Sequence, residues 1–210
     1  MKIIIADDHA LIRKGLKEIL QQVEGLVLLD EAQNGSELLL KISQNDYDII
    51  VLDISMPGKS GLDVLKDIRR IKPDIPVLIL SVYPEEQYAI RVLKSGASGY
   101  LTKDSAPDEL VNAIKKIVNG GKYISSSLAE ILATEVKSGG VINMLHENLS
   151  DREFQVMKML AAGKTVKEIS EELFLSPKTV STYRTRIYEK MKFSSKSELT
   201  GYAIKNGLID

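Results

Sequence analysis

Short apolar runs alternate with amphipathic stretches over the first 120 residues. Lys2–Ala6, Val27–Glu31, Ile49–Leu52, Val77–Leu80 and Gly99–Leu101 are short and rich in Ile, Val and Leu, as strands buried on both faces should be. Between them apolar residues recur at helical spacing over about 10–22, 35–45, 60–71, 85–95 and 106–119. In the first of these, Leu11, Gly15, Leu16, Ile19 and Leu20 share one face, with Lys14, Lys17, Glu18 and Gln21 largely elsewhere. Pro57, Pro73 and Pro76 fall outside the helix interiors, where proline costs little. This repeat predicts a parallel sheet with helices on both faces, joined by right-handed crossovers.

The pattern changes after Gly120-Gly121. Leu128, Ile131, Leu132, Ala133 and Val136 make Ser127–Lys137 a single helix, which Ser138-Gly139-Gly140 breaks. Beyond it no strand pattern appears, only short helices near 151–162, 165–172, 176–191 and 196–206. The expected organisation is an α/β domain over 1–121, a linker with a helix over 122–148, and a small all-α domain over 149–210.

A chain of 210 residues suits two small domains. The absence of cysteine excludes disulfides, thiolate metal sites and cysteine nucleophiles, and two histidines leave little room for zinc or copper. The apolar N-terminal run is too short for a signal peptide and is followed by two acids. No segment approaches the ~20 apolar residues of a membrane span. A soluble, cytoplasmic protein is expected. The net charge is −1, but residues from His146 onward carry 11 basic against 9 acidic side chains.

In an open parallel sheet, ligands bind beyond the C-terminal ends of the strands. Asp7 and Asp8 follow the first strand, Asp53 ends the third, Ser81 follows the fourth and Lys103 follows the fifth. Any one of these alone reads as a turn, a cap or a solvated charge. Together they surround one cleft. Clustered carboxylates repel unless a cation joins them, and hard oxygen ligands suit Mg²⁺. A carboxylate beside that ion can attack phosphorus, with the metal and a lysine offsetting charge on the transferring oxygens.

Asp7-Asp8-His9, Asp53 through Gly61, Ser81 and Tyr100-Leu101-Thr102-Lys103 make residues 1–121 closely resemble the receiver domain of two-component response regulators. The resemblance implies a flavodoxin-like five-stranded sheet of order 2-1-3-4-5. It implies Asp53 as phosphoacceptor, Asp8 as a direct Mg²⁺ ligand, Asp7 acting mainly through water, and the Ser55 carbonyl as a further ligand. Ser81 and Lys103 would contact the phosphoryl group, and Tyr100 would be a switch aromatic that moves inward with Ser81. Gly61 reads as a close approach or unusual turn, and His9 as a structural or edge residue.

In the last domain Ser150 with Glu153, and Thr165 with Glu168, have capping-box spacing. Ile169, Leu173 and Phe174 supply the apolar side of one short helix, and Ser176-Pro177 opens the next. Pro177–Lys192 carries five basic residues and one acid. Its Val180, Ile187 and Met191 should face the core. Lys178, Thr179, Ser181, Thr182, Arg184, Thr185, Arg186 and Lys190 are the candidate contacts to bases or phosphates. Leu149–Glu153, Gly163–Ile169, Leu175–Val180, Ile187–Met191 and Tyr202–Ile209 resemble the LuxR-type helix-turn-helix of the NarL/FixJ class. That makes Pro177–Lys192 the recognition helix and 196–206 a dimer surface. Ser181 and Tyr183 depart from the basic residue and histidine common there.

The expectation is a DNA-binding transcription regulator. It would accept a phosphoryl group on Asp53 from a sensor histidine kinase, form a homodimer on phosphorylation and bind double-stranded promoter DNA, with Mg²⁺ as cofactor and no membrane partner. One competing reading is a phosphorylation-independent regulator that uses the receiver only to dimerise. A remoter one is a Mg²⁺-dependent phosphohydrolase, but such enzymes typically carry a second Asp two residues after the nucleophile, where this chain has Ser55.

Overall fold

The computed structural model describes residues 1–21, 25, 28–137 and 145–209, so the glycine break at 139–140 lies outside the described residues. The chain forms two compact units, Met1–Leu132 and Ala133–Asp210. In the first, β1 (Lys2–Ala6), β2 (Leu28–Ala32), β3 (Ile49–Asp53), β4 (Val77–Ser81) and β5 (Gly99–Thr102) form one parallel sheet of order β2-β1-β3-β4-β5. The expected order is thus observed. Helices α1 (Ala10–Leu20), α2 (Gly35–Gln44), α3 (Gly61–Ile71), α4 (Glu85–Lys94) and α5 (Ala106–Val118) alternate with the strands.

Side chains alternate between sheet faces. Ile3, Ile5, Ile49, Val51, Leu78, Leu80 and Leu101 pack with Leu16 and Leu20 of α1 and with Leu110, Ile114 and Ile117 of α5. Ile4, Ile50, Leu52 and Ile79 on the opposite face are equally buried. Three strands extend one residue past the apolar run, to Asp53, Ser81 and Thr102. Their backbones stay in the ladder, with Asp53 opposite Leu80 and Ser81 opposite Thr102. Ladder bonds thus deliver polar side chains to the sheet edge.

The α1 face differs from expectation. Leu11 is 80% exposed, whereas Arg13 is buried beside Leu16 and Leu20. Spacing i, i+3, i+7 puts those three on one stripe, and the Arg13 guanidinium has fixed acceptors there. Its Nη1 donates to the Asp7 carbonyl (2.7 Å) and its Nε to Glu31 Oε2 (3.0 Å).

Helix α6 (Ser126–Lys137) follows α5 after a short extended segment. The second unit contains a 3₁₀ turn (Leu145–Asn148) and helices α7 (Asp151–Ala161), α8 (Val166–Glu172), α9 (Pro177–Met191) and α10 (Lys196–Lys205). Helix α9 packs on α7 and α8, and α10 packs on α7. Phe154, Met157, Ile169, Val180, Ile187, Met191, Leu199 and Ala203 are buried. Both capping boxes form as the spacing predicts: Ser150 and Thr165 accept from the backbone of Glu153 and Glu168, which reach back to the cap N–H groups. Phe174 does not join the apolar side of α8. It lies past the helix end at φ 52°, a left-handed backbone that turns the ring outward, and it is 74% exposed. Among the described residues no helix is long and apolar enough to cross a membrane.

Candidate functional site

The C-terminal sheet edge gathers the candidate residues of the first unit. Asp53 leaves β3 with its side chain buried, and the turn that follows is pinned back, since Ser55 N–H donates to Asp53 Oδ1 (2.9 Å). Gly61 then passes hard against the strand end. A Cβ there would lie 2.4 Å from the Asp53 carbonyl oxygen and 2.6 Å from Ile54 Cα. Close approach is therefore what Gly61 supplies, and its N–H donates to the Ile54 carbonyl (3.0 Å). Ser60 caps α3 by accepting from Asp63 N–H.

Lys103 Nζ sits between Asp53 Oδ2 (2.8 Å) and Asp7 Oδ2 (2.6 Å). Ligand atoms of Asp7, Asp8, His9 and Asp53 all lie within 4.8 Å of one another. Burial pushes the Asp53 carboxyl above its ordinary range, with the Asp7 charge adding to the rise and Lys103 opposing it. Burial alone would lower Lys103, but the charge and hydrogen bond of Asp53 and the nearby Asp7 carboxylate outweigh it and leave Lys103 raised. His9 is mostly exposed at the rim, with Nδ1 2.9 Å from Asp8 Oδ1 and 3.3 Å from Asp7 Oδ1.

The donor set fits a hard divalent cation. Asp7 Oδ2 and Asp8 Oδ1 are buried with no hydrogen-bond donor aligned on them; their near neighbours are Lys103 Nζ and the His9 ring. Oxygen-rich and anionic, the cluster is a Mg²⁺ site with Asp7, Asp8 and Asp53 as the residues that would hold the ion.

Ser81 and Tyr100 are fully buried, and both engage the loop between β4 and α4. Tyr83 N–H donates to Ser81 Oγ (3.0 Å), and Tyr100 Oη donates to the Tyr83 carbonyl (2.7 Å). Burial raises the Tyr100 phenol, keeping it a donor at neutral pH. Arg13 and Tyr83 were not among the candidates from sequence. Arg13 was detectable from its place on the Leu16–Leu20 stripe; Tyr83 carries no local signal.

In the second unit, Lys178, Thr182, Arg184, Thr185 and Arg186 lie exposed on α9, with Thr179 and Ser181 half-buried. Thr182 and Thr185 donate their hydroxyl protons to the carbonyls of Lys178 and Ser181, leaving lone pairs outward. Val180, Ile187 and Met191 face the core as predicted. Lys190 is already engaged: its Nζ donates to Glu153 Oε2 (2.6 Å), tying α9 to the N-terminus of α7.

An oxygen-ligated phosphoryl chemistry module on a parallel sheet, followed in the chain by a capped, basic helix-turn-helix, defines a class of signal-responsive regulator. The response regulator receiver domain family matches residues 3–115, and the luxR family of bacterial regulatory proteins matches residues 147–203. Response regulator UvrY of Escherichia coli is 37% identical over 210 residues, covering 100% of this chain and 96% of the relative. Response regulator GacA of Pseudomonas syringae is 38% identical, covering 100% and 98%. The RcsB response regulator of Salmonella typhimurium, in a structure described by its conformational dynamism for DNA interaction, superposes with a TM-score of 0.63 at 26% identity, covering 96% of this chain and 98% of that one. The chain belongs to the NarL/FixJ class of two-component response regulators, DNA-binding regulators controlled by phosphorylation.

Proposed function

We propose that Asp53 is the phosphoacceptor of this regulator and that its phosphorylation by a sensor histidine kinase raises the affinity of the second domain for promoter DNA. The observation that carries this reading is the Asp53–Lys103–Asp7 contact set: a buried carboxylate beside a lysine and two further acids. Asp53 Oδ1 or Oδ2 attacks the phosphorus of the donor, and the donor's phosphorus–nitrogen bond breaks as the new acyl phosphate forms. Asp8, Asp53, Asp7 and the Ser55 carbonyl would hold Mg²⁺, which would offset the negative charge that develops on the transferring oxygens. Lys103 keeps one donor on the phosphoryl oxygens. Ser81 donates its proton to another while its oxygen accepts from Tyr83 N–H. Tyr100 acts as the switch aromatic by holding the Tyr83 carbonyl.

The protein acts as an acceptor rather than a turnover enzyme, in the cytoplasm. The domains run over 1–121 and 149–210, with 122–148 as linker. Lys178, Thr179, Ser181, Thr182, Arg184, Thr185 and Arg186 present α9 to the major groove, with Lys190 at its far end. Two copies bind a two-fold site. An RcsB structure at 27% identity was obtained on a promoter with the phosphomimetic BeF₃⁻, which supports carrying both activities to this chain. The test is intact mass after incubation with Mg²⁺ and acetyl phosphate. One phosphoryl adduct on the wild type and none on Asp53→Ala is expected; an adduct of equal yield on both would refute the assignment.

A further inference from the structure

The segment after α5 is bound to the receiver-like unit by hydroxyl groups. Tyr123 N–H donates to the Ser98 carbonyl (2.9 Å), and Tyr123 pairs with Gly99 as an added parallel bridge on the outer edge of β5. Gly99 permits this, because a Cβ there would lie 2.9 Å from both Tyr123 Cβ and its carbonyl oxygen. Tyr123 Oη donates to Glu109 Oε2 (2.6 Å). Ser125 and Ser127 both donate to one oxygen of Glu85, Oε2, at 2.5 and 2.6 Å. Ser125 Oγ also accepts from Leu128 N–H (3.1 Å), so the hydroxyl that grips Glu85 caps the first turn of α6. Leu128 is fully buried behind it. Glu85 is 8% exposed, and among the described residues its hydrogen-bond partners are these two hydroxyls. A carboxylate so buried is costly once its donors leave.

Glu85 is the first residue of α4, two positions beyond Tyr83. Both backbone polar groups of Tyr83 are occupied: its N–H by Ser81 Oγ and its carbonyl by Tyr100 Oη. Its ring stacks on Tyr88 of α4 at 4.7 Å. A Ser81 hydroxyl that donates to a phosphoryl oxygen on Asp53 keeps its lone pair for Tyr83 N–H, so the two bonds strengthen each other. The position of Glu85 is thereby tied to the occupancy of Asp53.

We propose that Glu85 is a positioning residue that couples the phosphoacceptor site to the linker, holding Tyr123–Leu128 and the cap of α6 on the β5 edge when Asp53 is phosphorylated. The proposal rests on the reading of Asp53 given above. The docked segment is this chain's own linker, lying along the outer edge of β5.

Hydrogen exchange of the full-length protein tests this, read on the peptide spanning 122–130 with and without Mg²⁺ and acetyl phosphate. The extent of phosphorylation is measured by intact mass on the same samples. Phosphorylation is expected to slow exchange of this peptide about fivefold in the wild type, the size of one ordinary hydrogen bond. Glu85→Gln, which keeps an acceptor, retains part of the effect. Glu85→Ala and the Ser125→Ala/Ser127→Ala double variant lose it while still forming the adduct. Equal slowing in those variants and the wild type, or no slowing in a wild type that carries the adduct, overturns the coupling. Absence of the adduct in the wild type overturns the phosphoacceptor reading itself, and the coupling with it.

Discussion

The acidic cluster sets three carboxylates against one ammonium group, and two substitutions in it should act with opposite sign. Lys103 contacts Asp7 and Asp53 together. Lys103→Met leaves two buried carboxylates facing each other without a cation, a loss of about 3–5 kcal/mol. Asp53→Asn leaves Lys103 matched one-to-one by Asp7 and removes a carboxyl that burial has pushed upward. A raised folded-state pKa means that folding disfavours the ionised form. The associated stability is present at low pH and is lost as pH rises through the folded value. At neutral pH Asp53→Asn therefore stabilises. Bound Mg²⁺ contributes about 1.4 kcal/mol to the wild type at a free concentration ten times its Kd. For a unit of this size that is roughly 4–6 °C in Tm, against a drop of roughly 10–20 °C for Lys103→Met. Differential scanning calorimetry on the full chain reads all three, the relevant transition being the one that moves with Mg²⁺. Asp53→Asn lowering that transition, or Lys103→Met leaving it in place, would refute the charge balance argued here.

Three further outcomes are expected. Hydrogen bonds from Lys190 and Ser150 hold Glu153 below its ordinary 4.5 despite burial that pushes it up, so its stabilisation is present above the unfolded value and is lost as pH falls through the folded one. Glu153→Gln should cost about 1.5–3 kcal/mol at neutral pH and flatten the acid side of the stability profile of the helical unit, read by circular dichroism. Phe174→Gly removes a bulky residue from a left-handed backbone and should raise stability by up to about 1 kcal/mol in chemical denaturation, since the ring is mostly exposed. Arg184→Ala should weaken DNA binding and reduce the slope of log affinity against log salt by about 1; Lys190→Met should change the slope less, because Lys190 is held by Glu153.

The sheet was legible because its strands are uninterrupted apolar runs, and the caps because each depends on residues three apart. The strand ends fell one residue short because Asp53, Ser81 and Thr102 are polar yet remain in the ladder. Leu11 misled because an apolar residue at the start of a helix carries no sign of whether the sheet covers it, while Arg13 takes the buried place through acceptors just past β1 (Asp7) and on β2 (Glu31). Phe174 has the composition of a helix-packing residue, and only its backbone angle turns it outward. The acid–lysine cluster was readable from strand ends alone. The Tyr83–Tyr100 and Glu85–Ser125 contacts were not, since they join residues 17 and 40 positions apart with no motif to mark them.

The central claim is that phosphorylation at one carboxylate controls DNA binding. Its most direct measurement is fluorescence anisotropy on a promoter fragment at fixed low salt, comparing wild type and Asp53→Ala with Mg²⁺, with and without acetyl phosphate, the adduct being confirmed by mass. Tighter binding by the phosphorylated wild type alone is the predicted result. Equal affinity of the phosphorylated and unphosphorylated wild type, with the adduct present, would contradict it.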